Sequence, residues 1–290
     1  MSYSDALMSQ LHLLDYWQHN PEESEVICEQ LGDSFLPARA LQQIMVNMLS
    51  QADTYYVSGE IADVLVGGFD TLPTTPLGEV RPSSLHGWAY FERPVLCPFP
   101  GPSDEPWNIK AVMWGPSSSW RLDEGLNIGI FVQHPWSSVH FQCYGITNAS
   151  WESSWDRPWA VREGADLEYR DLSNWIDKLY YSFFAFIRQE CVSIQTAPAS
   201  RPIRRHAPKA YTAEPVIRII QLRRRGPAIN GGEAQSRDYS CRWLVRGHWR
   251  NQFYPSSKSH RPRFIPAYVK GPDDKPLKQP AKVSLFAVVR

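Results

Sequence analysis

At 290 residues, 43% hydrophobic and 21% charged, the chain is long enough for one large folded domain or two modest ones, and its composition excludes a disordered or fibrous protein. Its formal net charge of +0 conceals a division: residues 1–200 hold 10 Lys+Arg against 25 Asp+Glu, whereas residues 201–290 hold 20 against 5. That asymmetry predicts an acidic body joined to a basic module suited to polyanions, with mutual attraction of the two halves as the plainer alternative.

The first seventy residues read as helices. Leu7, Leu11 and Leu14 share one helical face, with Ser4 placed to cap it. A short helix is predicted over residues 22–31, stopped by Gly32, and a third carries the stripe Leu41, Ile44, Met45, Met48 and Leu49. Ser58 is the expected cap of a fourth, with Ile61, Val64 and Leu65 inward, and Pro73, Pro76 and Pro82 close the helical region. Strand patterns follow at 87–92, 109–115, 126–133 and 139–146, separated by Pro-, Gly- and Ser-rich turns, as in an antiparallel sheet. Trp175, Leu179, Phe183, Phe186 and Ile187 then mark a helix over 172–190. The 12 tryptophans fit core packing better than a stacking platform, since Trp is usually largely buried.

Residues 193–213, rich in proline and basic residues, read as an extended linker between a body at 1–192 and a basic β module at 214–290. The "RPIRRH" of 201–206 has the Arg-x4-His spacing of some helical ribonuclease toxins, but Pro202 and Pro208 bracket it and argue against a helix. The module contains strand patterns at 215–223, 242–255, 263–269 and 282–290, consistent with a small barrel or twisted sheet. The expected fold class is therefore α+β: N-terminal helices with an antiparallel sheet, then a small basic β module.

The stretch "RWLVRGHWRNQFYP" (242–255) carries the functional expectation. Read as one strand, it alternates Arg242, Leu244, Arg246, His248 and Arg250 on one face with Trp243, Val245, Gly247 and Trp249 on the other. Together with "HRP" at 260–262 and "IPAYVKGPDDKPL" at 265–277, it resembles the C-terminal signature of a protein family of actinobacteria, their phages and their plasmids. "FERPV" (91–95) and "AVMWGP" (111–116) extend the likeness upstream. The resemblance implies a mobile-element or host-defence setting and carries no catalytic residues with it.

Basic residues interleaved with aromatics suit single-stranded RNA or DNA. Arg242, Arg246, Arg250, Arg261, Arg263 and Lys270 are the candidate phosphate contacts, with Trp249, Phe253 and Tyr254 as candidate stacking rings. A second expectation is a metal-independent ribonuclease of toxin type, with His248 and His260 as acid and base and Tyr254 as an alternative acid. A third is a protein-interaction element whose basic module the acidic body covers, with a partner protein or antitoxin. Neither a GxxxxGK[ST] nor a GxGxxG motif is present, so no cofactor is expected. The 5 cysteines form no CxxC pair, and His134, His140 and Cys143 lack a fourth ligand at sensible spacing, which argues against zinc. The scattered cysteines, the N-terminal sequence and the lack of a long apolar run predict a cytoplasmic protein without membrane contact.

Overall fold

The computed structural model describes residues 3–20, 38–100, 106–116, 125–133, 141–152, 154, 167–223, 240–272 and 274–278. The predicted helix at 22–31 and the strand at 282–290 lie outside them. Helices α1 (Ser4–His19) and α2 (Ala38–Gln51) precede strand β1 (Asp53–Val57) and helix α3 (Gly59–Gly67). Strands β2 (Gly87–Pro100), β3 (Pro106–Pro116), β4 (Gly125–Gln133) and β5 (Phe141–Ser150) follow, then helix α4 (Leu167–Ile187) and β6 (Val192–Pro198). Helix α5 (Arg201–His206), β7 (Val216–Leu222), β8 (Trp243–Val245), β9 (His248–Tyr254), β10 (Ser259–Ile265) and β11 (Tyr268–Lys270) complete the order.

Seven strands form one sheet in the order β5-β4-β3-β2-β1-β7-β6. It is mixed rather than antiparallel, because β1 pairs in parallel with both β2 and β7. Strand β1 is the element that sequence periodicity does not reveal. Its "DTYYV" follows α2 after a single residue and is buried on both faces, with Tyr55 in one core cluster and Tyr56 in the other. A central strand of this kind shows no polar alternation. Joining two parallel strands requires a crossover, which α3 and two 3-10 turns supply between β1 and β2.

The sheet separates two apolar layers. On one side Leu7, Leu14 and Trp17 of α1 and Met45 and Leu49 of α2 pack on Trp88 and Phe131. On the other, Leu65 of α3 and Phe183 and Phe184 of α4 pack on Tyr55 and Trp114. Trp17, Trp88 and Trp114 are among the largest fully buried side chains, so these tryptophans are core, as their type predicts. Ser58 caps α3 by accepting from the Ile61 N–H at 3.4 Å, whereas Ser4 is the first residue of α1 and Tyr3 occupies its cap. Lys110 is fully buried on β3; its ammonium donates to the Glu92 carbonyl at 2.7 Å and lies 4.6 Å from the Tyr90 ring, partners such a charge requires. Burial pushes its pKa down to about 8.

The stretch expected as an extended linker is ordered secondary structure. Val192–Pro198 is the edge strand β6, paired antiparallel with β7 from Val192↔Leu222 to Pro198↔Val216. Its proline closes an edge strand, where the missing N–H costs nothing. "RPIRRH" is helical as α5, with a proline in the first turn, a position whose N–H is unpaired in any helix. Proline content therefore misled, because both residues stand where the backbone tolerates them. Strand β7, expected in the basic module, is the sixth strand of the large sheet.

Beyond β7 lie two antiparallel pairs, β8 with β11 and β9 with β10. Among the described residues no closed barrel forms. No helix among them is long and apolar enough to cross a membrane.

Candidate nucleic-acid interface

The stretch 242–255 is two strands with different partners, not one. The break falls at Arg246 and Gly247. A Cβ on Gly247 would stand 2.8 Å from the Phe264 ring, so a glycine is required for the chain to turn over that ring. The predicted continuous face is therefore divided. Leu244, expected beside the arginines, is 47% exposed on β8. Arg242 is a structural residue: its Nε donates to the Lys275 carbonyl at 2.8 Å, and its backbone bridges Leu277. Lys270 belongs to β11, its ammonium 5.9 Å from the Trp243 ring. Arg246 is exposed at the break.

The β9–β10 hairpin retains the predicted alternation. Trp249 faces Phe264 across the ladder, and both pack on Phe186 of α4 at ring centroid distances of 6.5 and 5.3 Å. Two body side chains fasten its backbone. Thr71 Oγ1 accepts the Trp249 N–H at 2.9 Å. The Gln189 amide accepts the Phe264 N–H at 3.0 Å and donates to the Pro262 carbonyl at 3.2 Å, standing in for a neighbouring strand.

With that face docked, the register places His248, Arg250, Gln252 and Tyr254 of β9 together with Arg261 and Arg263 of β10 on the opposite face. Arg250 lies directly across from Arg263. Like charges in that position repel unless an anion offsets them. Arg261 follows one row along, opposite Gln252, its guanidinium 5.9 Å from the Tyr254 ring. His248 Nδ1 lies 2.9 Å from the Arg246 carbonyl oxygen, an acceptor only. Nδ1 therefore carries the proton of the neutral ring, leaving the Nε2 lone pair free to accept.

His260 is not brought to His248. It pairs with Phe253 on the docked side of the ladder, the two rings 5.0 Å apart. Phe253 is itself 44% exposed at the end of the hairpin. Tyr254 shares the face of His248 but stands six residues away, about 20 Å along a strand. No second acid or base from the candidate set is thus beside His248.

A cleft of about 220 Å³ opens between the end of α4 and the hairpin. Tyr254, Arg261 and Arg263 line one wall; Glu79, Arg188 and Glu190 line the other. Arg188 Nη1 donates to the Glu79 carbonyl at 2.8 Å, and Arg263 Nη2 lies 3.6 Å from Glu190 Oε2. Arg188 and Glu190 were not legible as site residues: nothing in the local "RQEC" marks them, and only the docked hairpin brings them near Arg263. A second basic group, Arg201, Arg204 and Arg205 of α5, is exposed on the other side of the sheet, where Ile203 anchors the helix. The arginine and His206 at the ends of that helix are separated by five positions, which places them on different faces. Among the described residues no group of three or more His, Cys, Asp or Glu could hold a metal ion, and His134 and His140 lie outside them.

No protein-family model matches the chain, and no curated protein does. Among solved structures, the crystal structure of AcrVA2 is similar at a TM-score of 0.44 and 13% identity, over 87% of this chain and 85% of that one.

Proposed function

We propose that the protein binds single-stranded RNA or DNA on the outward face of the β9–β10 hairpin. The observation that carries this reading is the directly opposed pair Arg250 and Arg263, with Arg261 one row away on the same face. Three guanidiniums gathered on one docked hairpin repel one another, Arg263 being offset in part by the exposed Glu190 at 3.6 Å, and they offer planar forks to phosphate oxygens. Tyr254 on that face adds a ring against which an unpaired base can stack. The resemblance of residues 245–277 to proteins of actinobacteria, their phages and plasmids supports a mobile-element or phage-defence setting.

The intact chain tests this by fluorescence anisotropy with short single-stranded oligonucleotides. If about two or three phosphates are neutralised by these arginines, log K against log salt should fall with a slope of roughly −1.4 to −2. A flat response, or no binding at low salt, overturns the proposal. A partly covered module is the second reading, favoured by two ion pairs between the halves: Arg218 pairs with Asp53 at 2.8 Å and Arg263 with Glu190 at 3.6 Å. The first joins neighbouring strands of the large sheet, and only the second touches the hairpin face.

A further inference from the structure

The cleft behind the hairpin face holds both signs of charge, which a site for phosphate alone does not explain. Arg188, Arg261 and Arg263 supply donors, but the carboxylates of Glu79 and Glu190 share the lining and would repel a phosphodiester. At about 220 Å³ the space is smaller than the usual ligand pocket of roughly 300–1,000 Å³, a volume suited to one planar ring system rather than a whole nucleotide. Glu190 and Arg263 stand side by side at 3.6 Å, presenting an acceptor pair next to a donor fork. The Glu190 side chain is 88% exposed, so the ion pair is weak and can be shared with a ligand.

Resting on the reading that this face binds single strands, we infer that the cleft takes one unpaired guanine base. Among the bases, guanine alone sets two adjacent N–H donors, N1–H and the N2 amine, beside the O6 acceptor along one edge. A carboxylate at the position of Glu190 accepts both donors while the neighbouring Arg263 donates to O6. Arg261 and Arg188 remain for N7 and the flanking phosphate, and Tyr254, which shares the lining, offers a ring on which the base can stack. Adenine and cytosine offer the carboxylate one amine only, and uracil offers a single N–H. Selectivity therefore resides in Glu190, whereas general affinity resides in the arginines.

The test uses the intact protein and oligouridylates carrying one central guanosine, adenosine, cytidine or inosine, compared with uridine alone at low salt. The guanosine strand should bind at least roughly fivefold tighter than the uridine strand, the lower end of what one good bidentate contact discriminates. Inosine, which lacks the N2 amine, should lose most of that advantage. Glu190→Gln should bring the guanosine-to-uridine ratio close to one. Because Glu190 is exposed, that variant is expected to fold normally, which the thermal midpoint checks. Equal binding of all strands, or a preference that survives Glu190→Gln, overturns the guanine site and leaves single-strand binding standing. No binding of any of these strands, or of the corresponding deoxy strands, overturns the underlying reading instead.

Discussion

Gln189, just past the end of α4, receives the Phe264 N–H of β10 on its side-chain oxygen at 3.0 Å and donates from its nitrogen to the adjacent Pro262 carbonyl at 3.2 Å. One amide thus caps an exposed strand edge and sets the height of the hairpin above the cleft. Gln189→Ala leaves two backbone groups without these partners and should cost about 1–3 kcal/mol per group that stays dry. Hydrogen exchange at the Phe264 amide reads it directly; unchanged protection there would mean that the hairpin is held by ring packing alone.

The ring stack beneath the hairpin is the larger anchor. Trp249 is 4% exposed, and Trp249→Ala should destabilise the protein by about 3–5 kcal/mol in urea unfolding. Trp243, half-buried in the small β8–β11 sheet, should cost clearly less on the same change. Trp249→Phe keeps an aromatic ring and removes a buried indole N–H that finds no acceptor among the described residues. It should therefore fall nearer the wild type than Trp249→Ala does. Equal losses for Trp243→Ala and Trp249→Ala would contradict docking of the hairpin through Trp249.

Arg250, on the outward face of β9, should carry one phosphate contact. Arg250→Ala should weaken single-strand binding and reduce the salt slope by about 0.7, as loss of one phosphate contact predicts. Arg242→Ala, by contrast, removes a hydrogen bond to the Lys275 carbonyl and should lower thermal stability with little effect on that slope. A slope that responds to Arg242 and not to Arg250 would move the interface to the β8–β11 sheet.

His248 separates a binding site from a nuclease. With His260 on the other face and Tyr254 six residues away, His248→Ala should behave like Arg250→Ala, weakening binding modestly. Mixed RNA incubated with the protein from about pH 5 to 8 should remain intact without added metal. Cleavage that His248→Ala abolishes by two or more orders of magnitude would instead assign acid–base catalysis to the imidazole.

Asp177 lies buried in α4, and burial lifts its pKa to about 7, partly opposed by a hydrogen bond from Tyr180. The folded chain therefore holds a proton that the unfolded chain releases near pH 4. Stability should fall as pH rises from about 4 to about 7 and remain at the lower value above that, with an upper bound on this contribution of roughly 4 kcal/mol. Asp177→Asn should flatten the dependence and raise stability at pH 8. A parallel decline in both proteins, measured by urea unfolding at several pH values, would place the titration elsewhere.

Local pattern sufficed wherever side-chain period and burial agree. The leucine stripe of α1, the cap at Ser58, the aromatic face of α4 and the alternation of Trp249 with Arg250 could all be read from spacing, because each element buries one face. The division of charge between the two parts of the chain was likewise visible in the sequence, since counting needs no geometry. What spacing could not reveal was long-range pairing. Strand β1 is buried on both faces and shows no period, and β6 hides behind prolines that an edge strand tolerates. The break at Gly247 follows from contact with the Phe264 ring, seventeen residues further on. The cleft depends on Gln189, Arg188 and Glu190 meeting a hairpin that begins about sixty residues later. Register and docking arise from packing between distant segments. Tertiary structure alone therefore decided that His248 and His260 face apart, and that Arg250, Arg261 and Arg263 stand together.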